Sequence, residues 1–326
     1  LSLLCCKEFF EHCQDLGVEV VQLLCQRGIN PNASAGSPAA LHSLVQRLRE
    51  KLAASSLVKV LLPLTDLKAS MQDGQTPLTF LAKLGAGASP AITMLLEARC
   101  DPNQPEYAMN CCLQTPLHIV SLQRSAGLTE LFLRAKADPN KADQRGRSPL
   151  HLAVAAAPTG ADANFDIEDL LLSAGAAVSA RDAGGQTTLH YAFLKLPTVL
   201  DFDQKWLHSP NQSQPEKLAW TRDAWRLLSN RIDPIETVSS LSVVTGVDVN
   251  AKNIVGLTPL HLAALRGASI SALKLISAGA NIEEGFYGNT PLGLAMHRHP
   301  DMAVLLMQRG ALTSSPCTFF GHDGCP

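Results

Sequence analysis

Apolar residues along this chain come in paired short runs, each pair opened by a hydroxyl residue, Pro and Leu and closed by a small residue with Asp or Asn. In the pair that starts at Thr258, Leu260, Ala263 and Ala264 place small and aliphatic side chains on one helical face. After a break at Gly267, Ile270, Leu273, Leu275 and Ile276 form a second amphipathic stretch, and Gly279 supplies the left-handed residue that stops it. The pattern predicts two helices packed closely as a hairpin, then a turn into the next Thr-Pro. Thr or Ser before Pro is a helix start. The hydroxyl caps free N–H groups, and Pro at the first helical position gives up an N–H that would have no partner.

The unit recurs. Thr76-Pro77-Leu78-Thr79, Thr115-Pro116-Leu117-His118, Ser148-Pro149-Leu150-His151, Thr187-Thr188-Leu189-His190, Thr258-Pro259-Leu260-His261 and Thr290-Pro291-Leu292-Gly293 begin at intervals of 39, 33, 39, 71 and 32 residues. Ala39-Ala40-Leu41-His42 is a degenerate earlier copy. Closing segments recur too: Asp101-Pro102-Asn103, Asp138-Pro139-Asn140, Asp248-Val249-Asn250 and Asn281-Ile282, with Asn30-Pro31-Asn32 near the start. Gly74, Gly146, Gly185, Gly256 and Gly288 stand two places before the hydroxyl residue.

The period and the Thr-Pro-Leu-His-x-Ala signature resemble the ankyrin repeat over roughly residues 3–311. The resemblance implies an all-α ankyrin-repeat solenoid of stacked helix-turn-helix units with projecting turns. The expected organisation is about seven to eight repeats over 1–311, followed by an irregular tail at 312–326. Residues 138–311, with Asp233-Pro234-Ile235-Glu236-Thr237-Val238 and Asn289-Thr290-Pro291-Leu292-Gly293-Leu294-Ala295, also look like the ankyrin region of tankyrase-like poly(ADP-ribose) polymerases.

Three departures modify the array. Thr187 lies 61 residues before Asp248, where regular copies need 23, which leaves about 38 extra residues within 196–234; all three Trp fall there. The insertion reads either as a loop folded over the repeats or as a docking element. The turn from Asp101 to Thr115 is 14 residues long rather than 10, and it brings Tyr107, Met109, Cys111 and Cys112 towards a finger tip, where exposed aromatics serve contact. At the start, Leu3–Cys13 and Gly17–Gln26 read as a helix pair with no preceding Thr-Pro, so more chain upstream or an irregular cap is expected.

Composition narrows the function classes. Of the 326 residues, 46% are hydrophobic but only 5% aromatic, which suits small-residue helix packing and excludes general disorder. Length alone would suggest about two domains. No apolar run approaches the ~20 residues needed to cross a bilayer, so no membrane span is expected. The start has neither a basic leader nor a cleavage site, and it lacks an initiator Met, which reads as a chain cut from something longer. Nine scattered Cys do not form a disulfide framework and point to a reducing compartment, cytoplasmic or nuclear. A net charge of −2 with only a small basic patch (Arg134, Lys141, Arg145, Arg147), diluted by Asp138 and Asp143, argues against nucleic acid.

Candidate chemistry is sparse. His42, His118, His151, His190 and His261 hold the fourth motif position, where the ring can bind turn backbone and brace neighbouring repeats. His12, His208, His297, His299 and His322 have no Cys or carboxylate partner at a telling spacing, so no nucleophile with its base is specified. Cys317, His322 and Cys325 are a weak zinc signal, and no phosphate loop is present. Neither catalytic nor metal residues are expected, and no cofactor. Function is expected instead on the open face, in residues the packing does not need. By analogy with the ankyrin family, the partner-binding positions are Tyr107, Met109, Gln123, Arg124, Lys141, Asp143, Gln144, Arg145, Lys252, Asn253, Leu265, Arg266, Phe286 and Tyr287, with Arg181 extending the strip. They suit a partner protein or peptide. The alternative is the targeting region of a larger NAD-dependent ADP-ribosyltransferase whose catalytic domain lies outside this chain. Oligomeric state is not legible.

Overall fold

In a computed structural model of the chain, the residues described are 74–107, 113–157, 166–194, 233–286, 289–296 and 298–312. Residues 196–232 of the expected 196–234 insertion, the first helix pair, the copy at Ala39, Met109, Tyr287, the three Trp and the Cys317–His322–Cys325 tail lie outside them. The chain divides into two compact units, 1–144 and 145–326. Every regular element among the described residues is helical, apart from one isolated bridge between Phe286 and Asn289.

In the first unit, α1 (Pro77–Leu84) leads through a short 3-10 turn at Ala86–Ala88 into α2 (Ser89–Glu97), and α3 (Pro116–Leu122) is followed by α4 (Ala126–Arg134). α1 packs on α3, and each inner helix packs on its own outer helix. The core is Leu78, Leu81, Ile92, Leu95, Leu117, Val120, Leu128 and Phe132, all buried.

The second unit holds α5 (Pro149–Ala156) with α6 (Asp166–Ser173), α7 (Thr188–Phe193) with α8 (Ile235–Ser242), α9 (Pro259–Arg266) with α10 (Ser269–Ser277), and α11 (Pro291–Met296) with α12 (Pro300–Gln308). Inner helices stack in the order α5, α7, α9, α11, while α8, α10 and α12 stack behind. Small residues let the inner row close up: Ala153, Ala192, Ala263 and Ala295 are completely buried. Residue Asp233, just before α8, reaches across to the next hairpin and caps α10 by accepting the Ile270 N–H at 2.9 Å and the Ser271 N–H at 3.1 Å.

The helix starts behave as the motif predicts. Thr76, Thr115, Ser148, Thr187 and Thr258 all stand at N-caps and form reciprocal boxes with the residue three places on. In four of these boxes that residue is a His. The backbone N–H of the cap donates to Nδ1, at 3.2 Å for Thr115–His118, 3.1 Å for Ser148–His151 and 3.2 Å for Thr187–His190 and Thr258–His261. Nδ1 is therefore the bare nitrogen, and the proton sits on Nε2. His151 Nε2 donates to the carbonyls of Ala180 at 3.1 Å and Gln186 at 3.3 Å; His190 Nε2 donates to Leu257 O at 3.0 Å. One neutral imidazole thus caps its own helix and holds the next turn.

The glycines before the motif have a steric cause as well. A Cβ on Gly146 (φ +75°) would lie 2.9 Å from Ala183 N, and one on Gly185 (φ +68°) 3.0 Å from Ile254 N. Adjacent fingers approach too closely there, and in too unusual a conformation, for a side chain.

Candidate partner-binding fingers

Four fingers are locked by their own closing residues, Asp101, Asp138, Asp248 and Asn281. Asp101 Oδ1 accepts the Asn103 N–H at 2.9 Å, and Asp248 Oδ1 accepts the Asn250 N–H at 3.0 Å. The Asn side chain then reaches the next finger with both of its polar atoms. Asn103 donates to Lys136 O at 3.3 Å and accepts from Asp138 N at 2.7 Å within the first unit. Asn250 donates to Gly279 O at 3.0 Å and accepts from Asn281 N at 2.7 Å within the second. In the last finger Glu283 stands in the place of that Asn and accepts the Leu312 N–H at 2.7 Å. Sequence reasoning registered the recurring Asp-x-Asn without assigning it this bridge; the repeated two-residue spacing was the available signal.

The tips are held by a second set of bonds. Asn253 Oδ1 accepts the N–H groups of Val255, Gly256 and Leu257 at 3.1, 3.0 and 2.9 Å. Asp182 plays the same part, accepting from Gly184 and Gln186 while Tyr191 O–H donates to its other oxygen at 2.7 Å. Backbone then joins tip to tip, through Tyr107 N to Gly74 O at 2.7 Å in the first unit, and through Ala183 N to Arg145 O and Ile254 N to Gly184 O at 2.8 and 2.9 Å in the second.

These bonds sort the expected contact residues. Tyr107 is 62% exposed on a backbone fixed by Gly74, and Gln123, Lys141 and Gln144 are exposed, with Arg124 half-buried. All five belong to the first unit. Gln123 Nε2 donates to Lys83 O at 3.0 Å, and Lys83 pairs with the buried Glu106 at 2.7 Å. In the second unit Arg145 is half-buried and Lys252 exposed; Lys252 pairs with Glu284 at 2.5 Å, and that ammonium holds the Glu284 carboxyl below the usual carboxylate range. Arg181 donates to Lys252 O at 2.9 Å.

Five positions expected on the surface are inside instead. Asn253 is the buried clasp of its own turn, and Asp143 is buried in its finger. Leu265 and Phe286 join the core, Phe286 meeting the His261 ring edge-on at 6.0 Å. Arg266 is 1% exposed and donates from Nε to Phe193 O at 3.0 Å, with burial lowering its pKa to about 10. Long polar side chains at the end of an inner helix can satisfy a carbonyl across the stack, which helical periodicity alone does not reveal.

Among the described residues, burial sets the state of the buried imidazoles and of the Cys100 thiol. Burial lowers the pKa of His190 and of His261 to about 4, so both rings are neutral braces rather than poised bases. Burial, with Asp101 beside it, raises the Cys100 thiol to about 11, away from thiolate chemistry. Among the described residues no three His, Cys, Asp or Glu side chains gather as a metal site would require.

Residues 145–183 match the model of the ankyrin repeat, and residues 228–315 match that of three ankyrin repeats in tandem. These stretches of the chain are ankyrin repeats. Its relatives include the human transient receptor potential cation channel subfamily A member 1, 30% identical over 62% of this chain and 18% of that protein. Mouse Rabankyrin-5 is 26% identical over 61% of this chain and 21% of its own length. A poly(ADP-ribose) polymerase tankyrase of Caenorhabditis elegans is 27% identical over 59% of this chain and 8% of its own, in line with the tankyrase-like resemblance in the motifs. The chain thus spans less than a quarter of each of these relatives. Ankyrin repeats are in general protein-interaction modules. No described helix is long and apolar enough to cross a membrane.

Proposed function

We propose that this chain is a non-catalytic recognition module that holds a partner protein or peptide along the fingers and concave ankyrin face. The supporting observation is Tyr107: a large aromatic, 62% exposed, on a finger whose backbone is tied to its neighbour. A rigid exposed ring is the kind of anchor that concentrates binding energy. Gln123, Arg124, Lys141 and Gln144 in the same unit supply polar contacts to go with such an anchor, and Arg145 and Lys252 are polar positions of the second unit's own fingers. Nine scattered Cys favour a reducing compartment, cytoplasmic or nuclear.

The test is capture followed by titration. With the partner isolated on this chain as bait and its affinity measured by calorimetry, Tyr107→Ala weakens binding at least tenfold and leaves the unfolding midpoint unchanged. Equal affinity with and without the ring refutes the assignment of this face.

A second reading rests on the tankyrase relative, at 27% identity. In it the repeats recruit substrates for an ADP-ribosyltransferase domain outside this chain. Sequencing the transcript on both sides of the repeats, with no transferase domain found, removes it.

A further inference from the structure

Acidic and basic side chains are laid out unevenly in the first unit. Within 74–144 the acids are Glu97, Asp101, Glu106, Glu130, Asp138 and Asp143. Glu97 and Glu130 belong to the outer helices α2 and α4, and Asp101 and Asp138 clasp the turns that follow those helices. The inner helices α1 and α3 carry no Asp or Glu. Asp143 and Glu106 are buried, at 6% and 2% exposure. At the ends of the inner helices stand two cations: Lys83, with 37% of its side chain exposed, and Arg124, half-buried just past α3. Residues 108–112, which follow Tyr107 in its finger, carry no charge.

Hydrogen bonds gather the two cations and the exposed ring into one patch. Lys83 Nζ donates to Glu106 Oε2 at 2.7 Å, and Glu106 directly precedes Tyr107. Gln123 Nε2 donates to Lys83 O at 3.0 Å, and Arg124 directly follows Gln123. Taking a carboxylate out of water calls for a cation beside it, so Glu106 holds the Lys83 ammonium in place at the edge of the patch. An ammonium has three N–H donors, and Glu106 Oε2 accepts one of them. The Arg124 guanidinium adds a planar fork of the shape that matches a carboxylate. In the second unit the finger cations face acids that reach the surface: Lys252 pairs with Glu284, and Arg181 lies 3.6 Å from Asp248. The patch in the first unit holds two cations and one acid, and the acid lies inside. We infer that it takes an acidic peptide, seating an Asp or Glu carboxylate on Lys83 and Arg124 and an apolar neighbour on the Tyr107 ring. This rests on the partner-binding role proposed for the same face and names the chemistry of the partner.

Selection from a random peptide library displayed on phage, with the full chain as bait, tests this. The peptides recovered carry Asp or Glu close to a large apolar residue. By calorimetry the tightest of them binds roughly tenfold more weakly to the Arg124→Gln chain, whose unfolding midpoint stays that of the parent, and roughly tenfold more weakly to Tyr107→Ala. Once its acidic residues are changed to Asn and Gln, the parent and Arg124→Gln chains bind it alike. Peptides that need Tyr107 but are without acidic residues, or that ignore Arg124→Gln, overturn the acidic chemistry and leave the face standing. Peptides indifferent to both substitutions overturn the face as well, and a library that yields no acidic binder overturns the inference outright.

Discussion

The two units end their helices differently. Arg124 in the first unit and Gly267 in the second hold the same repeat position after an inner helix, both left-handed, with φ of 56° and 64°. After the outer helices the first unit places Arg99 and Lys136 at φ 65° and 66°, where the second uses Gly175, Gly246, Gly279 and Gly310. A side chain in that conformation costs about 1 kcal/mol, and a cation at a helix C-terminus recovers about 0.3–1 kcal/mol from the helix dipole. The second unit is relaxed where the first keeps charged side chains at a cost. Strain retained in one of two otherwise similar scaffolds is a reason to test those side chains for function, and the first unit also carries the exposed Tyr107.

The largest effect is expected on acidification, at the boxes that hold a buried His. His190 and His261, both in the second unit, have pKa values lowered to about 4 by burial, against an unfolded value near 6.5. As pH falls through 6.5 the unfolded chain takes up protons that the folded rings refuse, so stability drops until about pH 4. By pH 4.5 the loss is roughly 2 to 3 kcal/mol per ring. Within the first unit the Thr76–Thr79 box has no titrating group, whereas the Thr115–His118 box carries a buried imidazole of its own. Hydrogen exchange at pH 7 and pH 4.5 should show the fingers after α8 and α10 opening before the start of α1, where the box holds no His; equal loss at all three would contradict the role given to the imidazoles.

Exchanging the helix ends comes next. Gly267→Arg copies the first unit into the second, but a Cβ there would lie 2.5 Å from the ring of His299, whose Nε2 donates to Leu265 O at 3.0 Å. Strain plus that lost bond is expected to cost about 3 kcal/mol by urea denaturation. A change below about 1 kcal/mol would show the site to be as permissive as Arg124's. Asn250→Ala removes both bonds to the next finger and should cost about 2 kcal/mol. Asn103→Ala should cost the same in the first unit, since its bridge has the same geometry; unequal losses would mean that the two ladders differ in strain.

The repeat was legible because its signals are local. Thr115 and His118, three residues apart, complete one cap, and Pro116 fixes the first turn. The finger bridges were half legible: Asp101 with Asn103 recurs visibly, but the Lys136 carbonyl that Asn103 grips is 33 residues away. Arg266 was misread because its acceptor, Phe193 O, is 73 residues distant, across the insertion, and a position at the end of an inner helix reads as solvent-facing until the stack is assembled. Asn253 was misread for the opposite reason. Its partners are within four residues, and an Asn at a turn tip serves its own backbone as readily as a ligand.

Under the proposed function, the strained cationic end at Arg124 serves recognition rather than folding. Measuring unfolding and partner affinity on the same Arg124→Gly protein tests it most directly. The account predicts a gain of at most about 0.7 kcal/mol in stability together with roughly tenfold weaker binding; a protein at least as stable that binds its partner as tightly as before would contradict it.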